Sequence, residues 1–212
     1  MSLLVAETFL SLQGEGAWAG WPCFFIRLSG CNLRCGYCDT TYAYSGGKET
    51  EIAALLAEWQ ASGIRLVEIT GGEPLLQQDA ALLMEALLSY GATVLLETNG
   101  SLSLARVPRR VVKIVDRKTP GSGMKEAWNE DNTRYLGMKD QVKFVITGRG
   151  DYEWASSWIK NNSLFVYTRA LFSPAWGILD PLELASWILD DRLDVQFQIQ
   201  LHKILWGEKR GK

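Results

Sequence analysis

The chain has 212 residues, 47% hydrophobic and 22% charged, with a formal net charge of −2 at pH 7. That is the make-up of an ordinary soluble globular protein, and a single domain over 1–212 is expected. No basic field points to nucleic acid, no apolar run reaches the length of a membrane span, and Met1-Ser2-Leu3-Leu4 leads into no signal peptide.

Hydrophobic patterning alternates between strand and helix along the chain. Residues 23–28 form a predicted strand, in which Cys23 reads as ordinary core. Ile52, Leu55, Leu56 and Trp59 fall at i, i+3, i+4 and i+7, so 49–62 is a predicted amphipathic helix ended by Gly63. A strand follows over 65–70, stopped by Gly71-Gly72. Residues 79–90 carry Leu82, Leu83, Ala86, Leu87 and Tyr90 and form a second predicted helix, with Gly91 as the cap. Further strands are predicted at 92–96, 111–115, 141–147, 164–168 and 195–200, and further helices at 151–161 and 181–190. The stretch 119–137 is irregular, either a lid or a surface excursion. Arg106, Arg109, Arg110 and Lys113 read as a solvated face. Trp128, Trp154, Trp158, Trp176 and Trp187 read as core or subunit contacts.

Strands separated by helices imply βα units and a parallel sheet. About six units are too few for a closed eightfold barrel, so the expected fold is α/β, a partial, open (βα)6-type barrel. Ligands gather at the C-terminal ends of parallel strands. The motifs follow that rule: Cys31 comes after the first predicted strand, Gly71-Gly72-Glu73-Pro74 after the second and Glu97-Thr98-Asn99-Gly100 after the third.

Four cysteines are sparse for a disulfide framework in a chain of this length. The thiols are expected in a reducing, cytoplasmic setting, where close cysteines bind metal more often than they cross-link. Cys31, Cys35 and Cys38 have the spacing C-x3-C-x2-C. A closed tetrahedral zinc site needs a fourth ligand, for which His202, the only histidine, or Cys23 would have to serve. A cubane iron–sulfur cluster is normally held by four thiolates. With three, one iron is open to a ligand that is not protein.

This spacing resembles that of the radical S-adenosylmethionine (SAM) enzymes, whose core is usually six βα units. The resemblance implies a [4Fe–4S] cluster on Cys31, Cys35 and Cys38, with SAM chelating the open iron and split by one electron into methionine and a 5′-deoxyadenosyl radical. The aromatic residue before the last cysteine, Tyr37, together with Cys38 and Asp39, would lie on the cofactor. Gly71-Gly72-Glu73-Pro74 resembles the motif that binds the SAM amino group through backbone carbonyls at Gly72 and through Glu73. Paired with the cysteines, it argues against zinc. Glu97-Thr98-Asn99-Gly100 matches a stretch near the ribose and adenine, or is merely a strand end with an Asn-Gly turn. Asp116, Arg117 and Lys118 resemble a segment that faces SAM, or form a surface pair.

Leu12-Gln13-Gly14-Glu15, Arg27, Thr40 and the late Gln200-Leu201-His202-Lys203 are similar to the 7-carboxy-7-deazaguanine synthase family. That resemblance implies ring contraction of 6-carboxy-5,6,7,8-tetrahydropterin with loss of ammonia, SAM being reformed each turnover. Gln13 and Glu15 supply donors and acceptors for the pterin edge. Arg27 suits a carboxylate bidentately, and Thr70 and His202 complete the expected substrate set. Thr40 would ligate Mg2+, a hard ion that takes few protein oxygens; otherwise its hydroxyl caps the following turn. A homodimer and an electron donor such as a flavodoxin or ferredoxin are expected. Two alternatives remain at this point: a glycyl-radical-activating enzyme, which would not need Gln13-Gly14-Glu15 or the late Gln-Leu-His-Lys, and a non-catalytic zinc protein.

Overall fold

The computed structural model describes residues 1–212, the side chain of Phe165 excepted. One nine-stranded sheet organises the molecule. Its strands are β1 (Ser2–Leu12), β2 (Pro22–Leu28), β3 (Lys48–Glu51), β4 (Leu66–Gly71), β5 (Thr93–Thr98), β6 (Val112–Asp116), β7 (Gln141–Ile146), β8 (Arg169–Pro174) and β9 (Gln196–Phe197). They run in the order β3-β1-β2-β4-β5-β6-β7-β8-β9. From β2 to β9 every neighbouring pair is parallel, while β1 pairs antiparallel with both β2 and β3 at one edge. The sheet is not closed, as expected of a partial barrel.

Helices α1 (Ile52–Ser62), α2 (Ala80–Ser89), α3 (Arg149–Asn161) and α4 (Pro181–Asp190) form crossovers, and α5 (Leu201–Trp206) follows β9. Leu55 and Trp59 of α1 and Leu83, Met84 and Leu87 of α2 pack on Ile26, Val67 and Ile69 of the outer sheet face. Tyr152 and Ile159 of α3 and Leu184 of α4 do the same on Phe144 and Phe172. Side chains alternate across a strand, so their neighbours Phe25, Leu95 and Ile114 face inward. There they join Cys23, Leu66, Phe9 and Trp18 in a separate apolar cluster. Phe9 stacks on Phe25 with ring centroids 4.8 Å apart.

Several elements differ from the sequence expectation. β1 belongs to no predicted element, because an antiparallel addition carries no βα period, and the edge strand β3 takes the first residues of the predicted helix 49–62, which begins at Ile52. Residues 164–166 form a short 3-10 helix instead of a strand, and the strand comes later, at 169–174. Only Gln196–Phe197 of the last predicted strand pairs, and Gln200-Leu201-His202 lies at the start of α5 rather than at a strand end. Between β5 and β6, and between β6 and β7, 3-10 turns replace α-helices. The second of these connections is anchored. Trp128 is buried in the core, and Asn132 donates to the carbonyls of Gly100 and Leu102 (2.9 Å each) while accepting from the Leu104 amide (3.0 Å).

Lys113 departs from its three arginine neighbours. They are exposed, but Lys113 is buried and its ammonium lies 3.1 Å from Asp140. Strand parity explains this: Lys113 on β6 turns toward the helical side while Val112 and Ile114 turn inward. Burial pulls the ammonium below its usual range despite the Asp140 charge. Asp140 also accepts from the amides of Lys113 (2.8 Å) and Gly137 (2.9 Å). Among the described residues, no helix is long and apolar enough to cross a membrane. Replacing Asp140 with Ala strands a buried ammonium and two amides, and is expected to destabilise the fold by about 3–5 kcal/mol in chemical denaturation. A loss below about 1 kcal/mol would show that Lys113 escapes to water.

Candidate active site

A cavity of about 440 Å³ opens at the C-terminal ends of the strands, and Cys31, Cys35 and Cys38 all line it. The fourth cysteine, Cys23, is fully buried on β2 in the apolar cluster beneath. The loop carrying the three thiols leaves β2 and is held by its own backbone. Arg34 donates to the carbonyls of Cys31 (2.9 Å) and Leu33 (2.7 Å), and its guanidinium lies 4.2 Å from the Tyr44 ring centroid. The amide of Gly36 reaches the Ser122 carbonyl at 3.0 Å, which ties the loop to the segment after β6.

Gly72 follows β4 and lies directly against this loop. A Cβ there would stand 2.6 Å from the Cys31 Cβ and 2.7 Å from the Gly30 carbonyl carbon, so only glycine fits. Glu73 then turns inward. Its carboxylate accepts from the Thr98 hydroxyl (2.8 and 2.9 Å), the Asn99 amide (2.7 Å) and the Leu75 amide (3.0 Å). With 0% exposure and every one of these donors engaged, the side chain is a brace between the loops after β4 and β5. In the same turn Gly72 lines the cavity.

The Arg117 side chain turns away from the cavity. Asp116 and Lys118 line the cavity, their charged groups 2.8 Å apart, but alternation along the extended chain sends Arg117 the other way. Its guanidinium sits among Trp128, Trp154 and Trp158, 4.9–5.5 Å from each ring centroid. It donates to the carbonyls of Lys118 (3.2 Å) and Lys125 (2.5 Å). Burial lowers its pKa to about 10, which leaves it charged at neutral pH. Arg117 therefore packs the back of the segment whose front is Asp116 and Lys118.

The other expected residues gather on the cavity. Tyr37, Asp39 and Thr40 line it beside the thiols. The Tyr37 hydroxyl and one Asp116 oxygen are buried without a hydrogen-bond partner among the described residues. Thr40 donates to Asp39 at 2.8 Å, and Asp39 lies 3.2 Å from Lys203 of α5. Burial alone would raise the Asp39 carboxyl, but the Lys203 charge outweighs it and holds the group low.

On the opposite wall the cavity continues into a chamber of about 80 Å³ lined by Leu12, Gln13, Gly14, Arg27, Thr70 and His202. Glu15, Arg27, Thr70, Glu97 and His202 line both spaces. Antiparallel register sets Glu7 opposite Arg27, whose Nε donates to it at 2.8 Å. No hydrogen bond among the described residues takes the terminal amino groups of Arg27. Gly14 admits the His202 ring: a Cβ there would overlap the imidazole. The Gly14 carbonyl accepts from the Leu201 amide at 3.0 Å, so β1 and α5 meet at this wall.

Two inward-facing residues were missed in the sequence, and both occupy ordinary strand positions. Lys143 on β7 is 4% exposed, with its ammonium 2.7 Å from Glu15, in contact with Glu97 and 3.7 Å from Asp116. Burial opposes its charge, but Glu15 and Glu97 hold it firmly protonated. Burial would likewise raise Glu97, and Lys143 instead keeps it below the usual carboxylate range. Glu68 on β4 is 3% exposed and faces the chamber, accepting from the Gln13 side-chain amide. Burial, with Glu97 and Glu15 nearby, pushes Glu68 well above the carboxylate range. A lysine or glutamate between apolar strand residues at the parity of Thr70 and Glu97 was the available signal.

Fit to an iron–sulfur cluster and SAM rests on this arrangement. Three thiols share one cavity with unsatisfied polar groups at Tyr37 and Asp116 and with a backbone that glycine alone leaves open. Residues 25–118 match the Radical SAM superfamily. The chain is 43% identical over 218 residues to the 7-carboxy-7-deazaguanine synthase of Koribacter versatilis (strain Ellin345), covering 95% of this chain and 96% of that protein. It is also 43% identical over 213 residues to the 7-carboxy-7-deazaguanine synthase of Chlorobaculum tepidum, covering 99% and 97%. The crystal structure of QueE from Escherichia coli shares the fold, with a TM-score of 0.79 at 23% identity over 95% of each chain. The chain belongs to the 7-carboxy-7-deazaguanine synthase family of radical SAM proteins.

Proposed function

We propose that the protein is a radical SAM carbon–nitrogen lyase that converts 6-carboxy-5,6,7,8-tetrahydropterin to 7-carboxy-7-deazaguanine and ammonia in 7-deazapurine, queuosine-type biosynthesis. The observation that carries this reading is the joining of two chemically different walls in one cavity. Three thiols and the Asp116–Lys118 pair line one side, and the polar chamber around Arg27 and Thr70 opens from the other. Substrate and products together contain the same atoms, so the reaction needs no net oxidant. Cys31, Cys35 and Cys38 would hold a [4Fe–4S] cluster. The turn Gly72-Glu73, the loop residues Tyr37, Cys38 and Asp39, and the segment Asp116-Arg117-Lys118 would hold SAM. When bound, the two supply the hydrogen-abstracting radical.

The chain's own residues would position the pterin. Leu12, Gln13, Gly14, Glu15, Thr70 and His202 enclose it, and Arg27 takes its carboxylate with the two amino groups that Glu7 leaves available. Such orientation keeps the reacting carbon beside the cofactor and limits side reactions of a radical. We place Mg2+ on the Thr40 hydroxyl. The oxygens of Thr40 and Asp39 are the hard donors this ion prefers, and the Asp39–Lys203 pair would fix their loop. A single domain over 1–212, a cytoplasmic setting, a flavodoxin or ferredoxin donor and a homodimer complete the proposal. Exposed Trp176, Ile178, Ile204 and Leu205 give apolar surface for a second copy.

Anaerobic incubation of the reconstituted protein with the tetrahydropterin, SAM and a reductant is expected to yield the deazapurine and ammonia in equal amounts. SAM cleavage without deazapurine would defeat the reading. Arg27→Lys keeps the charge but loses the planar fork, and is expected to raise KM at least about tenfold while SAM still perturbs the cluster spectrum. An unchanged KM would remove Arg27 from the carboxylate. Turnover is expected to fall in chelator-treated, metal-free buffer and recover with Mg2+, and Thr40→Val should blunt that recovery without loss of iron. Full activity in the metal-free buffer would eliminate the Mg2+ site.

A further inference from the structure

Three carboxylates line the small chamber: Glu15, Glu68 and Glu97. Two of them are already engaged by the protein. Glu15 receives Lys143 at 2.7 Å and Gln200 at 2.8 Å, and Glu97 receives Lys143 and the Thr70 hydroxyl. Glu68 differs. No cationic group among the described residues lies within ion-pair distance of it, and its hydrogen-bond partner is the side-chain amide of Gln13. Yet it is nearly fully buried and faces the chamber. A carboxylate in that position costs heavily unless something else supplies donors.

The geometry points to Glu68 as the residue that recognises the pyrimidine edge of the substrate, accepting from its ring N–H and its exocyclic amino group together. This inference rests on the tetrahydropterin reading above and goes further by assigning the end of the ligand opposite its carboxylate. A 2-amino-4-oxopyrimidine presents, in sequence, an amino donor, a ring N–H donor and a carbonyl acceptor. Glu68 offers two acceptor oxygens side by side, the arrangement that pairs bidentately with adjacent N–H groups. Gln13, already bonded to Glu68 through one amide hydrogen, has a second amide hydrogen to meet the ring carbonyl. The pair therefore complements the edge in order. Position along the strands agrees with this. Arg27 lies opposite Thr70 in the sheet, and Glu68 is the next inward-facing residue below Thr70, about 6.6 Å deeper at about 3.3 Å per residue. A bicyclic ring standing between the two levels puts its carboxylate at Arg27 and its amino edge at the chamber floor. Burial and the neighbouring Glu97 and Glu15 push the Glu68 carboxyl up, and two N–H donors from a ligand would favour its ionised form.

The test is steady-state turnover of the tetrahydropterin and of an analogue with hydrogen in place of the 2-amino group, by wild type and Glu68→Gln protein. Wild type is expected to favour the amino compound by about 100-fold or more in kcat/KM, since a site built to bond an N–H group rejects a ligand without it. Glu68→Gln is expected to raise KM for the amino compound by about 100-fold and to shrink the preference to a few-fold, with SAM binding at the cluster unchanged. Glu68→Asp retains the acceptor pair, and should keep the preference while raising KM less; it also serves if the glutamine variant fails to fold. Wild-type KM and an undiminished preference in Glu68→Gln, or loss of the preference in a folded Glu68→Asp protein equal to that in the glutamine variant, would overturn the assignment. Failure of the wild type to convert the amino compound would instead strike the proposed reaction itself.

Discussion

One buried ammonium holds the cavity together. Lys143 stands on β7 between Glu15 from the loop after β1, Glu97 at the end of β5 and Asp116 at the end of β6. These groups come from both halves of the sheet, and without a central cation three acidic side chains would face one another inside the protein. Burying a charge costs several kcal/mol unless it is paired and bonded, so each partner is tolerable only because of the others. Parallel strands usually read as continuous apolar runs because both faces are covered. Here the outer face keeps that rule except at Lys113, which is paired with Asp140, and the inner face breaks it near the C-terminal strand ends. Phe25 and Leu95 stand level with Glu68, so the deepest polar side chain of the chamber is flanked by apolar ones.

A second constraint works through Glu73. Its carboxylate gathers donors from the loops after β4 and β5, and its own amide bonds to the Gly30 carbonyl at 2.7 Å in the loop after β2. Three strand ends are fixed by one residue that does not itself line the cavity. Arg117 does comparable work behind the loop after β6, with three tryptophans and two carbonyls around it. A motif residue can therefore matter because it shapes the backbone, while the residue next to it lines the cavity.

That distinction explains what was legible in the sequence. The cysteine spacing, the glycine turn and the strand-to-loop order were readable because each needs particular residues at particular separations. Helices α1, α2 and α4 were readable from their apolar stripes and from turn residues at their ends. The direction of Arg117 was not, because parity in a short extended stretch depends on where the strand stops. The bracing of Glu73 by Thr98 and Asn99 was not legible either, because those partners lie more than twenty residues away. Lys143 and Glu68 were passed over for the same reason: a charged residue in a strand acquires meaning only from what the sheet sets beside it. Strand β1, which leads into Gln13 and Glu15 at the site, carries no βα signal to announce it.

The closing wall of the cavity shows how far such pairing reaches. His202 fits against Gly14, the Leu201 amide bonds to the Gly14 carbonyl, and Gln200 donates to Glu15 at 2.8 Å. Lys203, one residue on, turns to Asp39 beside the last cluster cysteine. The first turn of α5 therefore touches both proposed subsites, with neighbouring side chains pointing to the pterin chamber and to the cysteine loop. Such a turn is rigid only when both contacts are made. Docking of α5 therefore joins the small chamber to the cysteine loop in one packing event, which gives a physical reason for residues at opposite ends of the sequence to share one cavity.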